Sequence, residues 1–267
     1  DYGLSVLNAG TESTGHLLAA IGIGIGLGSL AAGYLSGQKI EYGLIPLGAA
    51  GMTLFSVLFS RGPSFAAAAV LLGALGFTGG FFAVPVLAII QHRPEPSRKG
   101  SVIAASNQLS FIGVGVASLV YGALTGLLHV PVSAVFLFGG LATLVATIYA
   151  VTLMPDSLTR LLVWVLVHSV YRMRVTGRES IPAKGGALLV SNHLSLVDAL
   201  LLGGSTDRHV RFLMFKGLYE RPILGFFARA ARAIPISSEQ RPRDMIRSLR
   251  TASEAIRNGE VVCIFAE

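Results

Sequence analysis

The chain has 267 residues, of which 13% are charged and 32 are glycine, and its formal net charge is +7. With a mean hydropathy of +0.67, this composition excludes an ordinary soluble enzyme and points to a membrane protein. The single cysteine excludes an internal disulfide and a cysteine zinc site. Charge is spread unevenly: residues 1–155 hold five Lys/Arg and four Asp/Glu, residues 156–267 sixteen and ten. The predicted organisation is a transmembrane all-α domain over 1–155 and an α/β domain over 156–267, with the boundary at Met154-Pro155-Asp156.

Five apolar stretches in the first part, roughly 14–37, 42–60, 64–90, 101–128 and 132–154, are long enough to cross a bilayer as helices, which takes about 20 residues. The chain does not begin with Met, and its opening residues suit the end of an earlier span, so a fragment missing its front is expected. Gly22-x-Gly24-x-Gly26-x-Gly28 lacks the Lys-Ser/Thr of a phosphate loop and a preceding strand. Within an apolar stretch, glycines four apart (Gly22/Gly26, Gly24/Gly28) instead predict close helix packing. Asn107 and Gln108 are the most interior polar pair, suited to bonding a neighbouring helix or lining a pathway. Arg93, Arg98 and Lys99 in the 91–100 loop, Lys39 and the basic second part all fall on one side, predicted cytoplasmic; Arg61 is the exception.

The loop from Gly33 to Gly43 (Gly-Tyr-Leu-Ser-Gly-Gln-Lys-Ile-Glu-Tyr-Gly) resembles a degraded form of the cytoplasmic loop motif of the major facilitator superfamily, without its Asp-Arg and paired basic residues. The resemblance implies that the spans are part of a carrier-like helix bundle, the last five helices of twelve.

In the second part, residues 158–170 are apolar but too short to span. Trp164 with Arg160, Arg172 and Arg174 suits a helix lying in the headgroup region; a buried core helix is the competing reading. Residues 171–177 alternate and predict a strand; 182–186 read as a turn, and 186–190 lead into a strand ending at Ser191. There follows Asn192-His193-Leu194-Ser195-Leu196-Val197-Asp198. Within one helix, residues five apart diverge by about 140°. His193 and Asp198 therefore meet only if His193 sits in a turn and Asp198 one turn into the helix, with Ser195 as N-cap. Ser195-x-x-Asp198 is also a capping box, and capping and catalysis are compatible for one carboxylate. Cys263 in an apolar run is expected in the core, and His92, His129 and His168 have no partner at metal-ligand spacing, so no metal is expected. Arg243, Arg247, Arg250 and Arg257 follow helical spacing, either a solvated basic face or a docking face. An excess of positive charge without a recognition motif suits anionic lipid or an acidic protein, not nucleic acid.

The strand leading into Asn192-His193-x-Ser195-x-x-Asp198 resembles the first signature block of the glycerophospholipid acyltransferases, and Val261-Val262-Cys263-Ile264-Phe265-Ala266-Glu267 resembles their third block, with Ala266 in place of proline. The resemblance implies an enzyme in which His193 is the general base, Asp198 its carboxylate partner, Asn192 and Ser195 turn residues at the substrate site, and Glu267 an acceptor-site glutamate. The family's acceptor-gripping arginine is missing from Ala233-Ile234-Pro235-Ile236-Ser237-Ser238-Glu239; Arg229, Arg232, Arg241 and Arg243 lie nearby, and Arg229 and Arg232 are the candidates. Fusion to a carrier-like half is similar to bacterial proteins that join a lysophospholipid transporter to a 2-acylglycerophosphoethanolamine acyltransferase, often followed by an acyl-carrier-protein synthetase. That likeness implies transport coupled to reacylation at the bacterial inner membrane, with the acyltransferase part cytoplasmic and truncated at its end. It implies membrane lipid and lysophospholipid as partners, and a thioester of acyl carrier protein or coenzyme A as co-substrate with no bound cofactor. The alternative is a transporter with a non-catalytic regulatory domain.

Overall fold

A computed structural model describes residues 10–37, 39–195, 197–236 and 242–266. The chain forms two compact units, Asp1–Met154 and Pro155–Glu267.

The first unit is helical: α1 (Thr11–Ser36), α2 (Leu44–Phe59), α3 (Phe65–His92), α4 (Lys99–Gly122) with a π-helical turn Ala123–Leu127, and α5 (Val132–Leu153). Small residues dictate how they pack. A Cβ on Gly24 or Gly28 would run into the backbone of Gly73 or Phe77, and one on Gly76 or Gly80 into that of Ile21 or Gly28 and Ser29. Helices α1 and α3 thus touch main chain to main chain, as small-residue faces allow. Gly22 and Gly26 face open space, so only the Gly24/Gly28 pair makes this crossing. Between α2 and α5, the Thr53 hydroxyl lies 3.2 Å from that of Thr143 and 3.1 Å from that of Thr147. Among the described residues, four helices are long and apolar enough to cross a membrane; α2 is not. The expected 42–60 span is shortened because Tyr42 and Gly43 form a turn, with Leu44 N–H donating to the Glu41 carbonyl at 3.2 Å. Its 16 residues extend about 24 Å, against a hydrocarbon core of about 30 Å. Helix α4 buries none of its residues, and Asn107 and Gln108 are exposed on it.

The second unit runs α6 (Pro155–Val170), a 3₁₀ turn (Arg178–Ser180), β1 (Ala187–Ser191), α7 (Asp198–Ser205), β2 (Val210–Phe215), α8 (Lys216–Tyr219), α9 (Pro222–Ala230), β3 (Ile234–Ile236), α10 (Pro242–Arg257) and β4 (Val261–Phe265). The sheet is parallel in the order β1-β4-β2-β3. Its inner strand β4 buries Val261, Val262 and Cys263 completely, as expected where a parallel sheet is covered on both faces. Val262 packs with Leu213, Ile234 and, from α10, Ala252 and Ala255; Val261 and Cys263 pack on the other face with Val210, Leu202 and Phe212.

Residues 171–177, expected as a strand, carry none. Their alternation finds no sheet partner, and Tyr171 and Val175 are each 43% exposed. Pattern alone does not hold a strand that buries no face. Helix α6 combines features of both readings of its sequence. Leu161 and Val167 are buried, with Val167 against Gly204 of α7, while Leu162, Leu166 and Val170 are exposed.

Candidate active site

Parallel strands direct their carboxyl ends and the following loops to one edge, where open α/β sheets place their ligands. Strand β1 ends at Ser191, in register with Phe265 of β4, and Ala266 N–H donates to the Ser191 carbonyl at 2.9 Å. Two residues on, His193 stands at this carboxyl edge.

The chain then turns into α7, whose first residue is Asp198. Asp198 Oδ2 accepts the N–H groups of Leu194 and Ser195, both at 2.7 Å, and lies 3.3 Å from His193 Nδ1. The last is a charge contact without hydrogen-bond alignment: Nδ1 is buried with no hydrogen-bond partner among the described residues. The two backbone N–H groups, Ser195 first, hold the Asp198 carboxyl below its ordinary range, with a smaller contribution from His193. Asp198 is therefore ionised at neutral pH. The imidazole is one-third exposed (33%), and with Nδ1 buried its open part lies away from that atom. It stacks on Phe265, ring centroids 4.3 Å apart and planes 29° apart.

Ser195 is not the N-cap of α7; that position belongs to Val197. The Ser195 carbonyl accepts Asp198 N–H at 3.0 Å and its hydroxyl accepts Val197 N–H at 3.3 Å. The serine thus starts a turn before the helix, and the aspartate supplies the returning half of the capping box. Asn192 is exposed, and its backbone carbonyl accepts the Ser191 hydroxyl at 3.0 Å.

The two candidate arginines separate. Arg229 lies over the Tyr219 ring at 5.9 Å and lines a cavity of about 400 Å³ with Lys216, Arg247 and Ser248 and with two carboxylates, Asp244 and Glu220, the latter 3.7 Å from Lys216 Nζ. Arg232 lies elsewhere. Its guanidinium bridges Asp156 Oδ2 at 3.0 Å and Glu260 Oε1 at 3.1 Å, and Glu260 also takes Arg211 at 2.7 Å. Glu260 precedes β4 and Phe265 ends it, so at about 3.3 Å per residue Arg232 sits roughly 13 Å or more from the His193 edge. Arg232 belongs to the amino edge, where its carboxylate partners already occupy it. Glu267, Arg241 and residues 237–239 lie outside the described residues.

Lys216, at the same carboxyl edge, was not singled out from the sequence. It follows β2 as Asn192 and His193 follow β1, so the same strand-to-helix rule would have found it. Cys263 sits in the core, where burial pushes its thiol up to about 11 and removes it as a nucleophile at neutral pH.

The family model described as Acyltransferase matches residues 172–267. Over 94 residues the chain is 27% identical to 1-acyl-sn-glycerol-3-phosphate acyltransferase from Bacillus subtilis (strain 168), covering 35% of this chain and 46% of that protein. The chain thus spans just under half the length of this curated relative. No solved structure matches the chain. Residues 172–267 carry an acyltransferase-type domain that contains the His193–Asp198 turn, and the match stops short of the helical first unit.

Proposed function

We propose that the second unit esterifies a hydroxyl of a lysophospholipid with an acyl group from a thioester, using His193 as general base. The observation that carries this reading is the pairing of His193 with an ionised Asp198 at the carboxyl edge of a parallel sheet, inside a region matched by the acyltransferase family. With Nδ1 turned to Asp198, Nε2 is the nitrogen that takes the acceptor proton. The freed oxygen attacks the thioester carbonyl. Collapse of the tetrahedral adduct breaks the C–S bond, and the imidazolium returns its proton to the leaving thiolate. Asp198 stabilises the imidazolium between these steps, as a carboxylate does beside a catalytic histidine.

Arg229 supplies positive charge for the acceptor phosphate, beside Lys216, whose ammonium Glu220 partly neutralises at 3.7 Å. Lys216 follows β2, two strands from β1 and so about 10 Å across the sheet. That gap suits a lysine side chain and a glycerophosphate together. The first unit, whose described residues include four helices long and apolar enough for a membrane, is assigned to lysophospholipid transport in a bacterial inner membrane. The 91–100 loop and the second unit then face cytoplasmic acyl-carrier-protein or coenzyme A thioesters. A regulatory, non-catalytic second unit is the rival reading, and Arg232 being already paired favours it.

The test uses full-length protein in proteoliposomes, with a labelled lysophospholipid acceptor and each thioester donor in turn. His193→Ala should lower turnover by about 10²–10⁴ while expression and insertion stay normal, the range for losing a general base. Near-normal turnover in His193→Ala would exclude this base.

A further inference from the structure

We infer that Phe265 is a positioning residue that fixes the plane of the His193 imidazole, an inference resting on His193 as the base. The carboxylate does not do this by itself. Asp198 Oδ2 is taken up by two backbone N–H groups at 2.7 Å, and its 3.3 Å approach to Nδ1 has no hydrogen-bond alignment. It supplies charge to the ring without setting its rotation. A ring held only that way turns about its last side-chain torsion, which is soft for an imidazole. The face of Phe265 removes that freedom, with centroids 4.3 Å apart and planes 29° apart.

Phe265 is itself held in place. It ends the inner strand directly after three completely buried residues and Ile264, and pairs in register with Ser191, two residues before the histidine. The neighbouring Ala266 N–H closes onto the Ser191 carbonyl at 2.9 Å. Behind it, the Phe212 ring lies nearly parallel, at 9° and 5.9 Å. Three rings from three chain segments are therefore layered, with the imidazole outermost. The sheet transmits its rigidity to the base through an aromatic face, a side-chain geometry that aliphatic residues of similar volume cannot copy.

The experiment compares Phe265→Leu and Phe265→Tyr in the full-length protein, alone and with His193→Ala. Leucine keeps the bulk and loses the face; tyrosine keeps both. Phe265→Leu should lower kcat about tenfold, given how steeply rate follows misorientation of a catalytic group, with acceptor KM within about twofold. Phe265→Tyr should stay within about threefold of the parent. Added to His193→Ala, Phe265→Leu should change nothing. The ring-current shift of the His193 Cε1 proton, read by NMR in selectively labelled protein, should be lost in Phe265→Leu and kept in Phe265→Tyr. Parent-like kcat in Phe265→Leu, or an equal loss in the His193→Ala background, would overturn the inference while leaving the base intact. A fully active His193→Ala would instead remove the base, and with it any catalytic purpose for the stack.

Discussion

The two edges of the sheet in the second unit carry the same chemical types in different states of completion. At the amino edge, Arg232 joins Asp156 and Glu260, and Arg211 joins Glu260, all within 3.1 Å. His209 is half-buried beside them, its Nε2 3.0 Å from the Ala231 carbonyl, and desolvation pushes its pKa down. At the carboxyl edge, His193 has a carboxylate close by yet unaligned, and a third of its side chain is open. A charge satisfied by opposite charges inside the chain holds elements in place. A titratable ring with one soft partner and one open side can move a proton. By that criterion His209 and Arg232 belong to the scaffold, and His193 is the residue we propose for the chemistry, although all three are basic residues in one domain.

The largest effect that could break this division is at Asp198. Asp198→Asn keeps a carbonyl oxygen for the N–H groups of Leu194 and Ser195 and removes the charge that favours an imidazolium. Turnover should fall about 10²-fold or more, by analogy with neutralising the carboxylate behind a catalytic histidine, while Tm moves little. If the variant were instead active and markedly less stable, Asp198 would be a cap and nothing more.

The arginines sharpen the same contrast. Arg229→Ala should raise KM for a phosphate-bearing acceptor about tenfold, the scale of one charge-assisted hydrogen bond, with Tm unchanged. Arg232→Ala should do the reverse. Its guanidinium is 46% exposed, so after solvent screening its loss destabilises the unit by only about 1 kcal/mol, and KM should stay where it was. Kinetics and thermal melts on both variants decide the matter, and an acceptor KM that responded to Arg232 would collapse the two edges into one site.

What could be read from the sequence was local. The strand–turn–helix around His193 lies within a dozen residues, so spacing was enough to bring His193 and Asp198 together, although Asp198 opens α7 and does not sit one turn into it as expected. Gly24 and Gly28 were legible as packing residues for a similar reason, a periodic face on one helix. What escaped depends on pairing across the chain. Strand β1 meets β4 and not its sequence neighbour, so nothing near residue 193 announces Phe265 as its platform. Arg232 looked available because Asp156 and Glu260, its partners, are remote in sequence. The alternation of 171–177 failed for the complementary reason: its pattern was right for a strand, but it pairs with neither edge strand, β1 or β3. Ser195 shows the limit even of local reading, since one reverse turn before α7 was enough to move the N-cap to Val197.

The smallest predicted effect is in the pH dependence of stability, where the two edges should titrate in separate windows. His209 has a lowered pKa in the fold, chiefly from burial. Above the unfolded value of about 6.5 it is neutral in both states and its contribution is intact. As pH falls below that value the unfolded chain binds the proton first, and stability declines until the folded value is passed. Asp198 also has a lowered pKa, from its backbone N–H donors, so its contribution is intact above the unfolded value of about 3.9 and is lost as pH drops through the lower folded one. Acid should therefore weaken the unit in two steps, the first from the amino edge and the second from the carboxyl edge. His209→Gln, which can still donate to the Ala231 carbonyl, should flatten the first step and leave the second; Asp198→Asn should do the opposite. Tm measured from pH 7 down to pH 3 on the three proteins reads both steps. A first step that survives His209→Gln would mean that another group at the amino edge takes up the proton, and that this half-buried histidine is not what couples the scaffold to pH.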